Sequence, residues 1–65
     1  MTFQELAKRF ERKNVDMKEF EEIEDSECVR DIEYRGYSEC FQLFKYSAIS
    51  LDCEESFNFC SDYIP

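Results

Sequence analysis

The sequence has no histidine, only one glycine, Gly36, and only one proline, Pro65. Histidine is the side chain that most often acts as a general base near neutral pH and that most often binds transition metals. A single glycine cannot build the glycine-rich loop that cradles phosphates in many nucleotide-dependent enzymes. Since Ser-His and Cys-His pairs are also excluded, we expect a protein that is not an enzyme and that uses no cofactor.

Long apolar runs are missing as well. Lys45 interrupts the richest apolar stretch, well short of the roughly 18 residues that a membrane helix needs. The N-terminus lacks the basic and then apolar pattern of a secretory signal peptide. These absences predict a soluble, cytoplasmic protein that does not bind membranes. The 65 residues are enough for one domain, near the lower size limit for a stable core.

The four cysteines stand at positions 28, 40, 53 and 60. An even number in so short a chain is typical of disulfide frameworks, but without an export signal we expect the thiols to stay reduced. The intervals of 11, 12 and 6 residues between them do not fit the close pairs of cysteines found in zinc sites. We therefore predict free cysteines packed as small buried hydrophobic side chains, and no metal site.

Negative charge dominates the chain, with 16 acidic residues against eight basic ones and a net charge of −8. Nine of the acids lie between residues 16 and 33, where the only bases are Lys18 and Arg30. The first 15 residues, in contrast, have a net charge of +2. This imbalance favours binding to a basic surface and opposes direct binding to nucleic acid or to anionic lipid.

Two capping boxes mark the starts of two helices. In this motif the N-cap side chain and a glutamate three residues later accept hydrogen bonds from each other's backbone N–H groups. Thr2 and Glu5 predict a first helix that ends near Asn14. Asp16 and Glu19 predict a second helix, whose apolar stripe is so narrow that most of its acids must face water.

The rest of the chain permits two interpretations. Further helices could start near Ser26, at Ser38 and at Asp52, which would give an all-α bundle of four to five short helices. Asp52 and Glu55 repeat the capping-box spacing a third time. Residues 41 to 51 would then form a helix that is apolar nearly all round, either central in the bundle or half of a dimer interface. Phe10 and Phe44 are predicted to be buried in this bundle. We expect this all-α fold.

The alternative is an α+β fold. The β-branched and aromatic residues from Val29 to Tyr34 also suit a strand, and a hairpin could turn around Gly36.

The acidic stretch leads to a functional hypothesis. Carboxylates three or four residues apart on a helix stand about 5–6 Å from each other, not far from the spacing of successive phosphates in a nucleic acid. Such a helix could occupy the basic groove of a nucleic-acid-binding protein, whereas the simpler interpretation is a solvated face. Nearby tyrosines belong to a residue type enriched at interfaces. The predicted partner-binding residues are Glu19, Glu21, Glu22, Glu24, Asp25, Glu27, Asp31, Glu33, Tyr34 and Tyr37.

In size and charge the chain resembles the acidic nucleic-acid mimics that phages use against restriction, CRISPR or transcription machinery. This resemblance rests on composition and on no diagnostic motif. It implies a viral inhibitor or regulator that acts in the host cytoplasm. A competing hypothesis is a structural subunit or homodimer that uses the apolar helix. Direct nucleic-acid binding through the bases of the first helix, Lys8, Arg9, Arg12 and Lys13, is disfavoured by the surrounding acids.

Overall fold

The computed structural model describes residues 2–65 as two helices and four strands. In chain order these are α1 (Phe3–Phe10), β1 (Asn14–Val15), α2 (Met17–Glu24), β2 (Val29–Ser38), β3 (Leu43–Ser50) and β4 (Ser56–Ser61). The strands form one sheet in the order β1-β4-β3-β2, in which only β1 and β4 are parallel. Buried residues of both helices pack against one face of this sheet, and the opposite face is open.

The predicted capping boxes of the first two helices are confirmed. Thr2 Oγ1 accepts a hydrogen bond from the Glu5 N–H at 3.2 Å, and the Glu5 carboxylate accepts from the Thr2 N–H at 3.0 Å. Asp16 and Glu19 make the same two bonds at 2.8 and 3.2 Å. Each helix has eight residues, and neither of these two helices within residues 2–65 could span a membrane.

The first helix ends earlier than predicted. It stops at Phe10, and Asn14 already belongs to β1. Arg12 takes a left-handed backbone conformation with a φ of 58°, and its N–H donates to the carbonyl of Asn58 in β4 at 2.7 Å. A tertiary bond to the sheet therefore replaces the continuation of the helix.

The predicted all-α bundle is wrong, because the chain after α2 forms three strands and no further helix within the described residues. The physical reason is a two-residue period. In β3, Tyr46 and Ala48 face the helices, while Lys45 and Ser47 face the open side. Alternation of this kind directs one set of side chains toward the helices and the other set toward the open face of the sheet. The apolar helix predicted over residues 41 to 51 is thus a central strand with its flanking turns.

The α+β alternative anticipated the strand after Val29 but misplaced the turn. Gly36 lies inside β2, at an irregularity in the pairing with β3 between Tyr34 and Gly36. Its φ of 121° belongs to the region that favours glycine, which explains the single glycine of the chain. The hairpin turns instead at residues 39–42, where Gln42 has a φ of 55°.

The third capping-box spacing, at Asp52 and Glu55, starts no helix. The Asp52 carboxylate accepts hydrogen bonds from the Ser50 hydroxyl at 2.5 Å and from the Glu54 N–H at 3.0 Å. These bonds lower the pKa of Asp52, with the Ser50 hydroxyl as the main cause. Asp52 therefore stabilises the tight loop between β3 and β4, a role that short polar side chains fill as readily as helix capping.

The core lies between the helices and the sheet. Its most buried large side chains come from α1, α2 and β4, namely Leu6, Phe10, Ile23 and Phe59. The prediction for Phe10 is confirmed. The prediction for Phe44 is wrong, since this side chain is only half-buried. Its ring packs near the exposed rings of Tyr34 and Tyr37, with centroids 6.0 and 5.1 Å away.

The four cysteines are free, but only two of them resemble the expected hydrophobic packing. Cys28 and Cys60 are half-buried, whereas Cys40 and Cys53 are exposed. Both exposed cysteines lie in the loops that replace predicted helices, so the prediction of burial is wrong for them.

Candidate protein-binding surface

The orientation of α2 is set by two buried residues, Phe20 and Ile23. The Phe20 ring packs against the rings of Tyr46 and Phe59, with centroids 4.9 and 5.9 Å away. Helical geometry then directs the remaining positions of the helix away from the sheet. The resulting surface, called here the acidic α2 face, consists of the exposed residues Glu21, Glu22, Glu24 and Asp25.

One carboxylate of this face has a cationic partner from the other helix. Arg9 Nη1 lies 3.1 Å from Glu22 Oε1, and both side chains are about half exposed. Arg9 belongs to the basic first segment, so counting charges only between residues 16 and 33 missed this pair. The other three carboxylates, of Glu21, Glu24 and Asp25, form no salt bridge within residues 2–65.

The C-terminal end of α2 is unfavourably charged. Glu24 is its last residue and Asp25 is its C-cap, while the last turn contains no basic residue. The C-terminus of a helix carries a partial negative charge, so carboxylates there are repelled and cations would be favoured. By contrast, α1 ends with Lys8 and Arg9 in its last turn. The acids at the end of α2 therefore cost the isolated domain some stability.

Other predicted acids serve the local structure. Glu19 is half-buried and its carboxylate completes the capping box of α2. Asp31 accepts a hydrogen bond from the Ile32 N–H at 2.9 Å, and Glu33 lies 3.6 Å from Arg35 Nη1. Glu27 is exposed in the turn that precedes β2.

The strand geometry of β2 divides the predicted residues between the two faces of the sheet. Asp31 pairs with Ile49, and Glu33 pairs with Ser47, on the open face. Tyr34 instead pairs with the buried Tyr46, whose ring packs against α2. Acids and tyrosines that are adjacent in sequence thus point in opposite directions, and a single site of ten residues does not form.

The tyrosines lie on the helix side of the sheet. Tyr34 and Tyr37 are each 47% exposed. The Tyr34 ring contacts Tyr46 at 5.8 Å, and Tyr46 contacts Phe20 of α2 at 4.9 Å. A row of aromatic contacts therefore connects the core beneath α2 with an exposed margin, and Tyr34 and Tyr37 share a side of the molecule with the acidic α2 face.

A basic groove on the open face was not anticipated from the sequence. Arg12, Arg35 and Lys45 line it, although they come from three separate segments of the chain. The sequence grouped Arg12 with Lys8, Arg9 and Lys13, but in the fold Arg9 pairs with α2 while Arg12 reaches the groove. No local pattern indicates this site, because strand pairing and the packing of the turn after α1 against β4 bring the three bases together.

The acids do not converge on a point that would suit an ion. Within the described residues, no group of three or more Cys, Asp and Glu side chains is arranged to hold a metal.

The chain matches no protein-family model, no curated protein and no solved structure.

Proposed function

We propose that this protein is a non-enzymatic inhibitor or regulator, which docks the acidic α2 face onto the basic surface of a nucleic-acid-binding protein in the cytoplasm. The observation that carries the proposal is the charge at the end of α2. Glu24 and Asp25 are exposed and lie at the negative end of the helix dipole with no base in the last turn. A basic partner would turn this unfavourable arrangement into a favourable one.

The simpler interpretation, a solvated face, accounts less well for this arrangement. Solvated helix faces gain stability from alternating charges three or four residues apart. Here, Glu21, Glu24 and Asp25 form no salt bridge within residues 2–65, and Glu22 is paired with Arg9 of the other helix. The tyrosines beside α2 would add contact area and hydrogen-bonding hydroxyls at the margin of the interface.

The dimer hypothesis has lost its main support. It relied on an apolar helix over residues 41 to 51, and this segment contains the central strand β3. The free sheet edge, β2, is also a poor dimerisation surface. Its pairing is irregular at two places, and it carries Arg30, Asp31 and Glu33, features that oppose pairing with another edge.

The proposal can be tested with two variants of equal charge. The first is Glu21→Lys, Glu24→Lys and Asp25→Lys, which removes the unpaired acids and keeps the Arg9–Glu22 pair. The control is Glu11→Lys, Glu54→Lys and Asp62→Lys, which changes three exposed acids outside α2 by the same amount. A partner is first captured from the source cell with wild-type protein and identified by mass spectrometry.

Dissociation constants are then measured for all three proteins at several salt concentrations. We expect the α2 variant to bind at least about tenfold more weakly, the control to bind nearly as wild type, and added nucleic acid to displace the protein. Binding should also weaken as salt increases. Equal weakening by both variants, or no competition by nucleic acid, would contradict docking through α2.

A further inference from the structure

The open face of the sheet holds a groove of about 620 Å³, within the usual size range of small-molecule sites. The residues that line it come from the turn after α1, the β2–β3 hairpin and β4, and they include Arg12, Arg35, Phe41, Lys45, Ser47 and Asn58. It lies on the opposite side of the sheet from the acidic α2 face, so the two surfaces are independent.

The groove is basic in an acidic protein. Three of its lining residues, Arg12, Arg35 and Lys45, are cationic and none is acidic, although acids outnumber bases two to one in the chain, 16 to 8. Within residues 2–65, the only salt bridge of a lining cation is that of Arg35 with Glu33, whose carboxylate lies 3.6 Å from Arg35 Nη1. Both side chains of that pair are about half exposed, so water screens it and Arg35 keeps much of its attraction for an anion.

The floor of the groove is preorganised by hydrogen bonds. Arg35 Nε donates to Ser47 Oγ at 3.0 Å, and Ser47 Oγ donates to Asn58 Oδ1 at 2.6 Å. Ser47 is only 2% exposed beneath these two side chains. The bonds occupy Arg35 Nε and the Asn58 amide oxygen, and Arg35 Nη1 lies near Glu33. Arg35 Nη2 and the Asn58 amide nitrogen make no side-chain hydrogen bond within residues 2–65, so both are donors available to a ligand.

Arg12 is anchored to the same floor. Its N–H donates to the carbonyl of Asn58 at 2.7 Å, and the next residue, Lys13, accepts from the Cys60 N–H at 3.0 Å. Two backbone bonds thus hold the turn after α1 against β4. A guanidinium on a fixed backbone loses less entropy on binding an anion than one on a free loop.

The groove also contains an exposed aromatic ring. Phe41 lines it from the β2–β3 turn and is 68% exposed. Its ring stacks on no other aromatic ring of residues 2–65, in contrast to the neighbouring Tyr34, Tyr37 and Phe44. A large exposed ring next to cations is suited to stacking on a flat, electron-rich group.

We propose that this groove binds a nucleoside phosphate, with the base against Phe41 and the phosphate among Arg12, Arg35 and Lys45. The cations supply charge-assisted hydrogen bonds to phosphate oxygens, and the Asn58 amide supplies a polar donor at the floor. A long nucleic acid is a poorer occupant. Its many phosphates would meet the field of a domain with a net charge of −8, whereas one phosphate group remains inside the local basic region.

The first experiment titrates ¹⁵N-labelled protein with adenosine monophosphate, adenosine, inorganic phosphate and a six-nucleotide DNA strand, observed by NMR. We expect adenosine monophosphate to shift the amide signals of Ser47, Asn58 and Cys60. Adenosine and phosphate, which each supply half of the contacts, should bind at least about tenfold more weakly. Equal affinity for phosphate alone, or tighter binding of the DNA strand, would overturn the proposed ligand class.

The second experiment repeats the titration with variants. Lys45→Gln and Phe41→Ala should each weaken binding of adenosine monophosphate by about tenfold, because each removes one half of the recognition. The controls Lys8→Gln and Leu51→Ala change an exposed cation and an exposed apolar side chain outside the groove, and should leave the affinity unchanged. All four residues are exposed, so the variants should fold, which the dispersion of the NMR spectrum verifies. Unchanged affinity in both groove variants would refute the site.

Discussion

The hydroxyl of Tyr46 donates a hydrogen bond to the backbone carbonyl of Tyr63 at 2.6 Å, and so connects the central strand to the C-terminal segment. Tyr46 is only 3% exposed, and the Tyr63 ring stacks on Phe20 at 4.3 Å. We expect Tyr46→Phe to lower the free energy of unfolding by about 1 kcal/mol, measured by urea denaturation. Tyr37→Phe is the control and should change it by less than about 0.5 kcal/mol, since Tyr37 is half exposed. Equal effects of the two changes would contradict a structural role for the bond.

The same residue predicts a loss of stability in alkali. Burial raises the pKa of Tyr46, and the nearby Tyr34 and Tyr63 raise it further. The folded protein therefore keeps the phenolic proton at a pH at which the unfolded chain has lost it. The resulting stability is complete below the unfolded pKa of about 10 and is lost as the pH rises through the folded value. Urea denaturation from neutral to alkaline pH should show a steeper decline for wild type than for Tyr46→Phe, and parallel curves would refute this origin.

The two predicted core phenylalanines should now behave differently. Phe10 is 2% exposed, so Phe10→Ala should lower the free energy of unfolding by roughly 3–5 kcal/mol, which could unfold so small a domain. Phe44 is half-buried at the margin of the core, and Phe44→Ala should cost clearly less. Thermal unfolding followed by circular dichroism compares them. A cooperative melt near that of wild type for Phe10→Ala would contradict the burial of Phe10 in the core.

Charge reversal at the end of α2 should stabilise the isolated domain. In the double variant Glu24→Lys and Asp25→Lys, cations replace acids at the negative end of the helix dipole. Each exchange should raise the free energy of unfolding by about 0.3–1 kcal/mol at low salt, and this increase should become smaller as the salt concentration rises. The double variant Glu54→Lys and Asp62→Lys, which changes two exposed acids outside both helices, is the control for the change in net charge. A melting temperature that falls in the α2 variant would argue that these acids make stabilising contacts.

Thiol reactivity should divide the cysteines into two pairs. Cys40 and Cys53 are exposed and should react rapidly with a thiol reagent in the native protein, whereas the half-buried Cys28 and Cys60 should react slowly. Denatured protein prepared without reductant should show four reactive groups. Two or fewer would indicate a disulfide and would contradict the prediction of reduced thiols.

Both helix starts could be predicted because their signals are local. A capping box is complete within four residues, and its hydrogen bonds are the same in any fold that accommodates the helix. Thr2 and Glu5, and Asp16 and Glu19, therefore form their bonds as predicted. The narrow apolar stripe of α2 also determined which of its residues face water, so the acidic α2 face follows from the sequence.

The strands could not be predicted in the same way. The spacing of Asp52 and Glu55 looks like a third capping box, but Asp52 stabilises a loop, because Ser50 and Glu54 provide closer partners. The apolar residues of β3 fit a helix or a strand equally well when considered alone. The neighbouring strand β4 makes residues 43 to 50 a strand. Phe57 and Phe59, two residues apart in β4, pack in the core with residues of both helices, and the backbone of β4 pairs with β3.

The sequence by itself determined the net charge, which is a sum over the composition. It also determined both helix starts and the outward-facing acids of α2, because each of these depends on residues within one or two turns of a helix. Only the tertiary structure decided the sheet, the separation of Glu33 from Tyr34 onto opposite faces, and the groove formed by Arg12, Arg35 and Lys45. The physical reason is the distance along the chain between the residues that form each backbone hydrogen bond. A strand completes its backbone hydrogen bonds with residues distant in the chain, so register and the neighbours of each side chain exist only after the strands have paired.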